Sequence, residues 1–184
     1  MEKVLSSEFI YKGKIVNLRI DDVEIQNGRR VKREVVEHSG GVGVLAFDRD
    51  GNVLMVRQFR HGIGRESLEI PAGKLEPGED PALCGIRELE EETGYRAASV
   101  EPLGTLDPTP AYDSEVIHLF LAGELTYAGQ NLDENEVLSV ERVPLERAVG
   151  LCLNGGVTDA KTVIAILKYA AMNLDSHRVG TAES

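Results

Sequence analysis

The segment Gly73–Tyr95, reading GKLEPGEDPALCGIRELEEETGY, constrains this chain more than any other, because it sets glycines, a helix start and a crowd of carboxylates side by side. Asp80 followed by Pro81 predicts a helix N-terminus: an aspartate accepts from the orphan amides of the first turn, and a proline has no amide to lose there. Gly94 predicts the stop. On that helix Glu88 and Glu92 are four apart and Glu91 is three from Glu88, so the three carboxylates leave one flank. Like charges so placed repel by roughly a few tenths of a kcal/mol per pair. A glutamate run alone describes a solvated face, but this crowding asks for a compensating cation. A hard divalent ion such as Mg²⁺ takes oxygen ligands and keeps waters for a phosphate substrate. Arg87 is spaced to pair with Glu91.

At 184 residues the chain suits one domain with a real core. Its formal net charge of -11 argues against a duplex nucleic-acid partner, which needs a basic footprint, and against an anionic membrane surface. An anionic small molecule fits if metal ions and a few arginines reverse the local field. The N-terminus MEKVLSSEFIY has no apolar core of a signal peptide, and no later run approaches the ~20 apolar residues of a membrane helix, so a cytoplasmic location is expected. Cys84 and Cys152 are read as buried thiols rather than a disulfide.

Apolar and polar residues alternate from Lys14 to Glu37 around Asn27-Gly28, which predicts a hairpin. Such a hairpin is marginal alone and must pack on the rest of the chain or on another copy. After Gly40-Gly41, the runs GVGVLAF and NVLMVRQFR flank the turn Asp48–Gly51 and read as a second hairpin, apolar enough for a sheet covered on both faces. Further strands are expected over Ser67–Pro71, Ala97–Leu106, Glu115–Leu121 and Val137–Pro144, with Tyr127–Asn135 a polar loop. Leu145–Leu153 reads as a helix ended by Asn154-Gly155-Gly156, and Asp159–Met172 as an amphipathic helix with Thr158 as cap. Residues from Asp175 onward read as a frayed tail. The pattern alone gives mixed α and β.

The central segment follows G-x5-E-x7-R-E-U-x-E-E-x-G-U, with U a bulky apolar residue, and so resembles the signature of the Nudix hydrolases at Gly73, Glu79, Arg87, Glu88, Leu89, Glu91, Glu92 and Gly94. Tyr95 stands where an aliphatic residue is more usual. The resemblance implies an α/β/α sandwich with a mixed sheet, here over residues 39–175, plus an N-terminal antiparallel β extension over residues 1–38 and a flexible tail at residues 176–184. It implies hydrolysis of a nucleoside diphosphate linked to a further group, with Glu88, Glu91, Glu92 and the backbone carbonyl of Ala72 holding two or three Mg²⁺, for which Mn²⁺ or another divalent cation substitutes. Glu92 counts with the catalytic residues too, and Gly73 with the substrate-binding ones. Glu79 is expected to brace its loop or tune the metals.

Four features outside the signature resemble the ADP-ribose pyrophosphatase branch of that family. Thr109-Pro110-Ala111-Tyr112-Asp113-Ser114-Glu115 is similar to the branch's proline loop, which implies that Glu115 reaches the terminal ribose with Thr109 nearby. Val56-Arg57-Gln58-Phe59-Arg60 is similar to its V-x-Q-[FY]-R strand, which gives Arg60 a substrate contact and leaves Arg57 a surface or structural residue. Asp133-Glu134-Asn135-Glu136 resembles an acidic loop in which Glu134 or Glu136 assists the attacking water. The N-terminal extension resembles one that completes the neighbouring subunit's adenine pocket in a homodimer, with Arg33 on the substrate. The implied reaction converts ADP-ribose to AMP and ribose 5-phosphate. Glu69 is left outside the catalytic set. The alternatives are another nucleotide sugar, such as ADP-glucose or GDP-mannose, and a module that senses nucleotides without hydrolysis.

Overall fold

The computed structural model describes residues 1–132 and 137–179, with side chains as far as residue 174. Strands β1 (Lys3–Lys12), β2 (Asn17–Glu24) and β3 (Arg30–Glu37) form an antiparallel sheet in the order β1-β2-β3. The expected hairpin is β2 and β3, registered Asn17 on Glu37 through Glu24 on Arg30. Gly28 makes its turn possible at φ 78°, where a side chain would be strained. β1 was not among the expected strands. It is exposed along its whole length, Phe9, Ile10 and Tyr11 included.

The chain continues through β4 (Gly41–Leu45), β5 (Asn52–Arg60), a 3-10 turn (His61–Ile63), β6 (Arg65–Glu69), β7 (Ala72–Lys74) and α1 (Pro81–Thr93). Then come β8 (Tyr95–Ala97), β9 (Val100–Leu106), β10 (Ile117–Ala122), β11 (Leu125–Tyr127), β12 (Leu138–Pro144), α2 (Leu145–Asn154) and α3 (Ala160–Val179). A mixed sheet has the order β7-β4-β10-β9, with β10 parallel to β4. An antiparallel sheet has the order β12-β5-β6, and β11 pairs with β8.

Four expectations are corrected. β4 and β5 flank the predicted turn, where Asp48 Oδ1 accepts from the Asp50 and Asn52 amides, yet they enter different sheets and touch through the isolated Phe47–Val53 bridge. β4 gives its two edges to β10 and β7, and β5 gives its own to β12 and β6, so neither retains an edge for the other. The strand expected over Ala97–Leu106 divides into β8 and β9, because the Ala98 amide turns to the Glu124 carbonyl at 2.8 Å. The cap of α3 is Asp159, whose Oδ2 accepts from the Thr162 amide at 3.0 Å, while the Thr158 hydroxyl accepts from Arg65. Finally, α3 runs to Val179, so the tail's first residues are helical; residues 180–184 lie outside the described ones.

Side-chain alternation divides the core between two helical layers. Val42 and Val44 of β4 and Leu54 of β5 pack with Cys84 and Leu89 of α1. Their neighbours Leu45, Val53 and Met55 pack on the opposite side with Ala148 of α2 and Ala165 and Ile166 of α3. The result is an α/β/α sandwich, with β4 and β5 apolar on both faces because both faces are covered. Cys84 and Cys152 are free thiols rather than a disulfide, as expected; Cys84 is buried and Cys152 half-buried. Among the described residues no helix is long and apolar enough to cross a membrane.

The start of α1 is the one the sequence predicts. Pro81 is the first helical residue, Asp80 Oδ1 accepts from the Ala82 and Leu83 amides at 2.8 and 3.2 Å, and Gly94 closes the helix at φ 77°. Asp80→Ala is expected to cost about 1 kcal/mol, read as a lower urea midpoint at unchanged m-value.

Candidate active site

The site forms where β7 passes beneath α1. A Cβ built on Gly73 would lie 1.9 Å from Glu88 Cδ and 2.0 and 2.3 Å from its carboxylate oxygens. Strand and carboxylate therefore occupy space that any side chain at position 73 would take. One turn further along, the buried Glu92 accepts from the Ala72 amide through Oε2 at 2.9 Å. With its amide engaged in this way, Ala72 keeps its carbonyl as the candidate ligand.

Arg87 organises the remaining carboxylates. Its Nε and Nη2 fork onto Glu79 at 2.9 and 3.1 Å, and Nη1 donates to Glu88 at 2.7 Å and to Glu91 at 2.9 Å. The expected Arg87–Glu91 pair is thus one arm of a three-carboxylate hub. Glu79 also accepts from the Glu76 amide at 3.0 Å, which makes it a brace of the loop before α1. The Arg87 fork outweighs the opposing effect of burial and holds the Glu79 carboxyl at about 2. Burial, reinforced by the bond to Glu79, pushes the Cys84 thiol up to about 12 and leaves it inert.

Among the described residues no group of three or more His, Cys, Asp or Glu side chains is arranged around a common point for a metal ion. Glu88 and Glu91 are instead turned onto Arg87, and Glu92 onto the Ala72 amide. The donor set nevertheless fits a hard divalent cation: three carboxylates on successive turns of one helix and a strand carbonyl, in a cradle that Gly73 keeps open.

The other candidate residues are distributed unequally. Arg60, last in β5, forks onto Glu69 through Nε and Nη2 at 2.9 and 2.7 Å, and feels the charge of Glu92 across the site. Arg57 pairs across strands with Glu141, a structural role as expected. The Thr109 carbonyl accepts from the Tyr112 and Asp113 amides, closing the proline loop. Glu115 lies 3.2 Å from His38 Nδ1, and its Oε1 is 4.0 Å from the point where a Gly41 Cβ would sit. That point is itself 2.9 Å from the Gly73 carbonyl oxygen, so Glu115 borders the glycine strand. Arg33 is not brought to this place within one chain: it is bonded to Glu2 on the N-terminal sheet. Glu134 and Glu136 lie outside the described residues. The chain leading towards them is tied to the C-terminal end of α1, where Gln130 donates to the Glu92 carbonyl and the Asn131 amide to that of Glu91.

The sequence leaves Glu69 outside the catalytic set and does not single out Lys161. Both are buried, and Lys161 Nζ donates to Glu69 at 2.5 Å. The available signal at Glu69 was a charge between apolar neighbours, Leu68-Glu69-Ile70 on the strand, whereas Lys161 sits between Ala160 and Thr162 with no such signal. Burial alone would raise the Glu69 carboxyl, but the Arg60 fork and the Lys161 charge outweigh it and bring it to about 2.

A sandwich holding a carboxylate helix against a glycine strand is the Nudix arrangement, and the NUDIX domain model matches residues 37–165. The chain belongs to the Nudix hydrolase family, whose members generally use divalent cations. The nucleoside diphosphate sugar hydrolase N-terminal domain model matches residues 2–36. An ADP-ribose pyrophosphatase of Bacillus subtilis is 45% identical over 167 residues, covering 90% of each chain. A methanol dehydrogenase activator of Bacillus methanolicus is 41% identical with the same coverage. The crystal structure of an ADP compounds hydrolase shares the fold, at a TM-score of 0.83 over 96% of each chain and 24% identity.

Gly73→Ala is expected to leave a folded protein that has lost its activity, since the added methyl displaces the Glu88 carboxylate. Circular dichroism and a hydrolysis assay on one preparation check both halves. A second expectation concerns pH. Glu69 titrates at about 2 when folded against an ordinary 4.5, so its contribution is complete above 4.5 and disappears as pH falls through 2. The stability deficit of Glu69→Gln, followed by urea unfolding, is expected to shrink by about 3 kcal/mol between pH 7 and pH 2.

Proposed function

We propose that the chain hydrolyses the diphosphate of ADP-ribose, adding water across it to give AMP and ribose 5-phosphate, with Mg²⁺ as the cation. The observation that carries this reading is the placing of Glu88 and Glu92 on the Ala72-Gly73 strand, an oxygen-rich cradle beside Arg60 and Glu115. The relatives named for ADP-ribose support the substrate.

Glu88, Glu91, Glu92 and the Ala72 carbonyl would hold the cation, with Mn²⁺ or another divalent ion as a substitute. Bound there, it would neutralise the diphosphate and stabilise charge on the attacking and leaving oxygens. Arg60 forks onto phosphate or ribose oxygens, a geometry that lysine does not match. Glu115 accepts from the terminal ribose hydroxyls, with Thr109 shaping the loop. Glu134 or Glu136 orients the attacking water and takes its proton.

The extension, residues 1–38, packs against a second copy in a homodimer, and Arg33 exchanges Glu2 for the neighbour's substrate. Val4, Leu5, Phe9, Ile10 and Tyr11 are exposed on it and support this arrangement. The Nudix domain comprises residues 39–175. The protein is cytoplasmic, and the acidic charge balance speaks against nucleic-acid and membrane partners.

The test is AMP formation from ADP-ribose with Mg²⁺, comparing the intact protein with Glu92→Gln, which keeps an acceptor for the Ala72 amide. Turnover by the intact protein and a loss of about a hundredfold or more in the variant, with unchanged melting, are expected. Inactivity of both towards ADP-ribose sinks the substrate reading, and equal activity sinks the metal reading.

A further inference from the structure

Behind Arg60 lies a chain of buried charge that no step above has used. Glu69 is 3% exposed on β6, with Arg60 forked onto it from β5 and Lys161, 8% exposed, donating to its Oε2 from the first turn of α3. Lys161 Nζ also donates to Asp159 Oδ1 at 3.0 Å. Asp159 Oδ2 in turn accepts from the Thr162 amide and hydroxyl at 3.0 and 2.6 Å, and the Thr162 hydroxyl accepts from the Ile70 amide at 2.9 Å. The lysine stem is held by the core, since a Cβ on Gly43 would sit 3.6 Å from Lys161 Cδ. Its head is therefore fixed between two carboxylates and its stem between two layers.

Burying an ammonium sacrifices its hydration, and an apolar side chain of similar volume serves a purely structural position as well or better. What an apolar residue does not supply is a second cation on Glu69. The Arg60 fork uses Nε and one hydrogen of Nη2, which turns the Nη1 edge in a fixed direction. Only an ionised carboxylate accepts both bonds of that fork. The charged groups around it are Arg65, opposite it on β6, Lys161 of α3 and the cap Asp159, and Glu92 of α1.

We infer that Lys161 is a positioning residue: it fixes Glu69 so that the Arg60 guanidinium meets the oxygens of the substrate already oriented. The order of action is Asp159 and Thr162 on Lys161, Lys161 on Glu69, Glu69 on Arg60, and Arg60 on the substrate. Pre-orientation of this kind lowers the cost of ordering a flexible side chain when the ligand arrives, so it acts on binding more than on the chemical step. The inference rests on the reading of Arg60 as a substrate contact.

A double-mutant cycle tests it, with ADP-ribose dissociation constants measured by calorimetry in EDTA and steady-state constants measured with Mg²⁺. Lys161→Met, checked for cooperative melting, is expected to weaken binding and raise KM about tenfold with kcat within about twofold. In an Arg60→Ala background the same substitution is expected to add nothing. If Lys161→Met does not fold, Glu69→Gln takes its place in the cycle with the same expected non-additivity. A full additional loss on top of Arg60→Ala, or a fall in kcat at unchanged KM, overturns the positioning role while leaving the Arg60 contact standing. Arg60→Ala that binds as the wild type does overturns the contact and the inference together, and a wild type that neither binds ADP-ribose in EDTA nor turns it over with Mg²⁺ removes the substrate reading beneath both.

Discussion

The site depends on the closeness of β7 to α1. At Gly73 the strand comes so near the helix that a methyl group would lie inside the Glu88 carboxylate, and one turn later Glu92 receives the Ala72 amide. Two carboxylates of the helix are thereby registered on two consecutive residues of a strand. Neither contact is available to a helix that has slipped or rotated by one residue. The registration extends inward, because β7 pairs with β4, registered Val42 on Gly73 and Gly43 on Ala72, and β4 lies between the two helical layers. The position of the carboxylates is therefore set by core packing rather than by loop conformation.

Two charge clusters flank this registration, and they are balanced differently. Around Arg87 stand Glu79, Glu88 and Glu91, with Glu92 a turn beyond, so carboxylates outnumber the cation. Around Arg60 and Lys161 stand Glu69 and Asp159, cation for carboxylate. The matched cluster is the one with its centre buried, as the cost of stranded charge at low dielectric requires. In the unmatched one Arg87 and Glu91 are about one-third exposed, and Glu92 alone is fully buried. Its surplus of negative charge is the electrostatic reason for a divalent cation, and Arg87 holds three of the carboxylates together.

Local chemistry made the helix and its flank legible in the sequence. Asp80, Pro81 and Gly94 act within their own neighbourhoods, as do Asn27-Gly28 and the 88, 91, 92 spacing, so a window of a few residues contains the whole cause. The pairing of β4 with β10 rather than β5 is a contest among strands of similar apolarity far apart in the chain, and no window contains that. For the same reason the sequence leaves open whether Glu69 faces the site or only ends a strand: its partner Lys161 is 92 positions away. Thr158 and its neighbour Asp159 both belong to the short list of side chains that cap helices, so the sequence alone does not choose between them. Only the third dimension shows Thr158 engaged with Arg65. Arg33 could be placed by resemblance alone, and its side chain points to Glu2 rather than to any group of the site.

The N-terminal sheet is less separate from the chemistry than its exposed first strand suggests. From the end of β3 the Val36 amide donates to the Tyr112 carbonyl at 2.7 Å, the Ser114 amide to Val36 at 3.0 Å, and the His38 amide to the Ser114 hydroxyl at 3.1 Å. His38 Nδ1 then stands 3.2 Å from the Glu115 carboxylate. The proline loop is thus laced to the sheet along its second half, while its first half closes on Thr109. Pro110 stiffens the loop internally, but the direction in which it presents Glu115 is given by β3. A three-stranded sheet with one strand exposed throughout has little packing of its own to hold it in place. The Glu115 loop beside Gly73 is therefore held only as firmly as the sheet to which Val36 and His38 tie it.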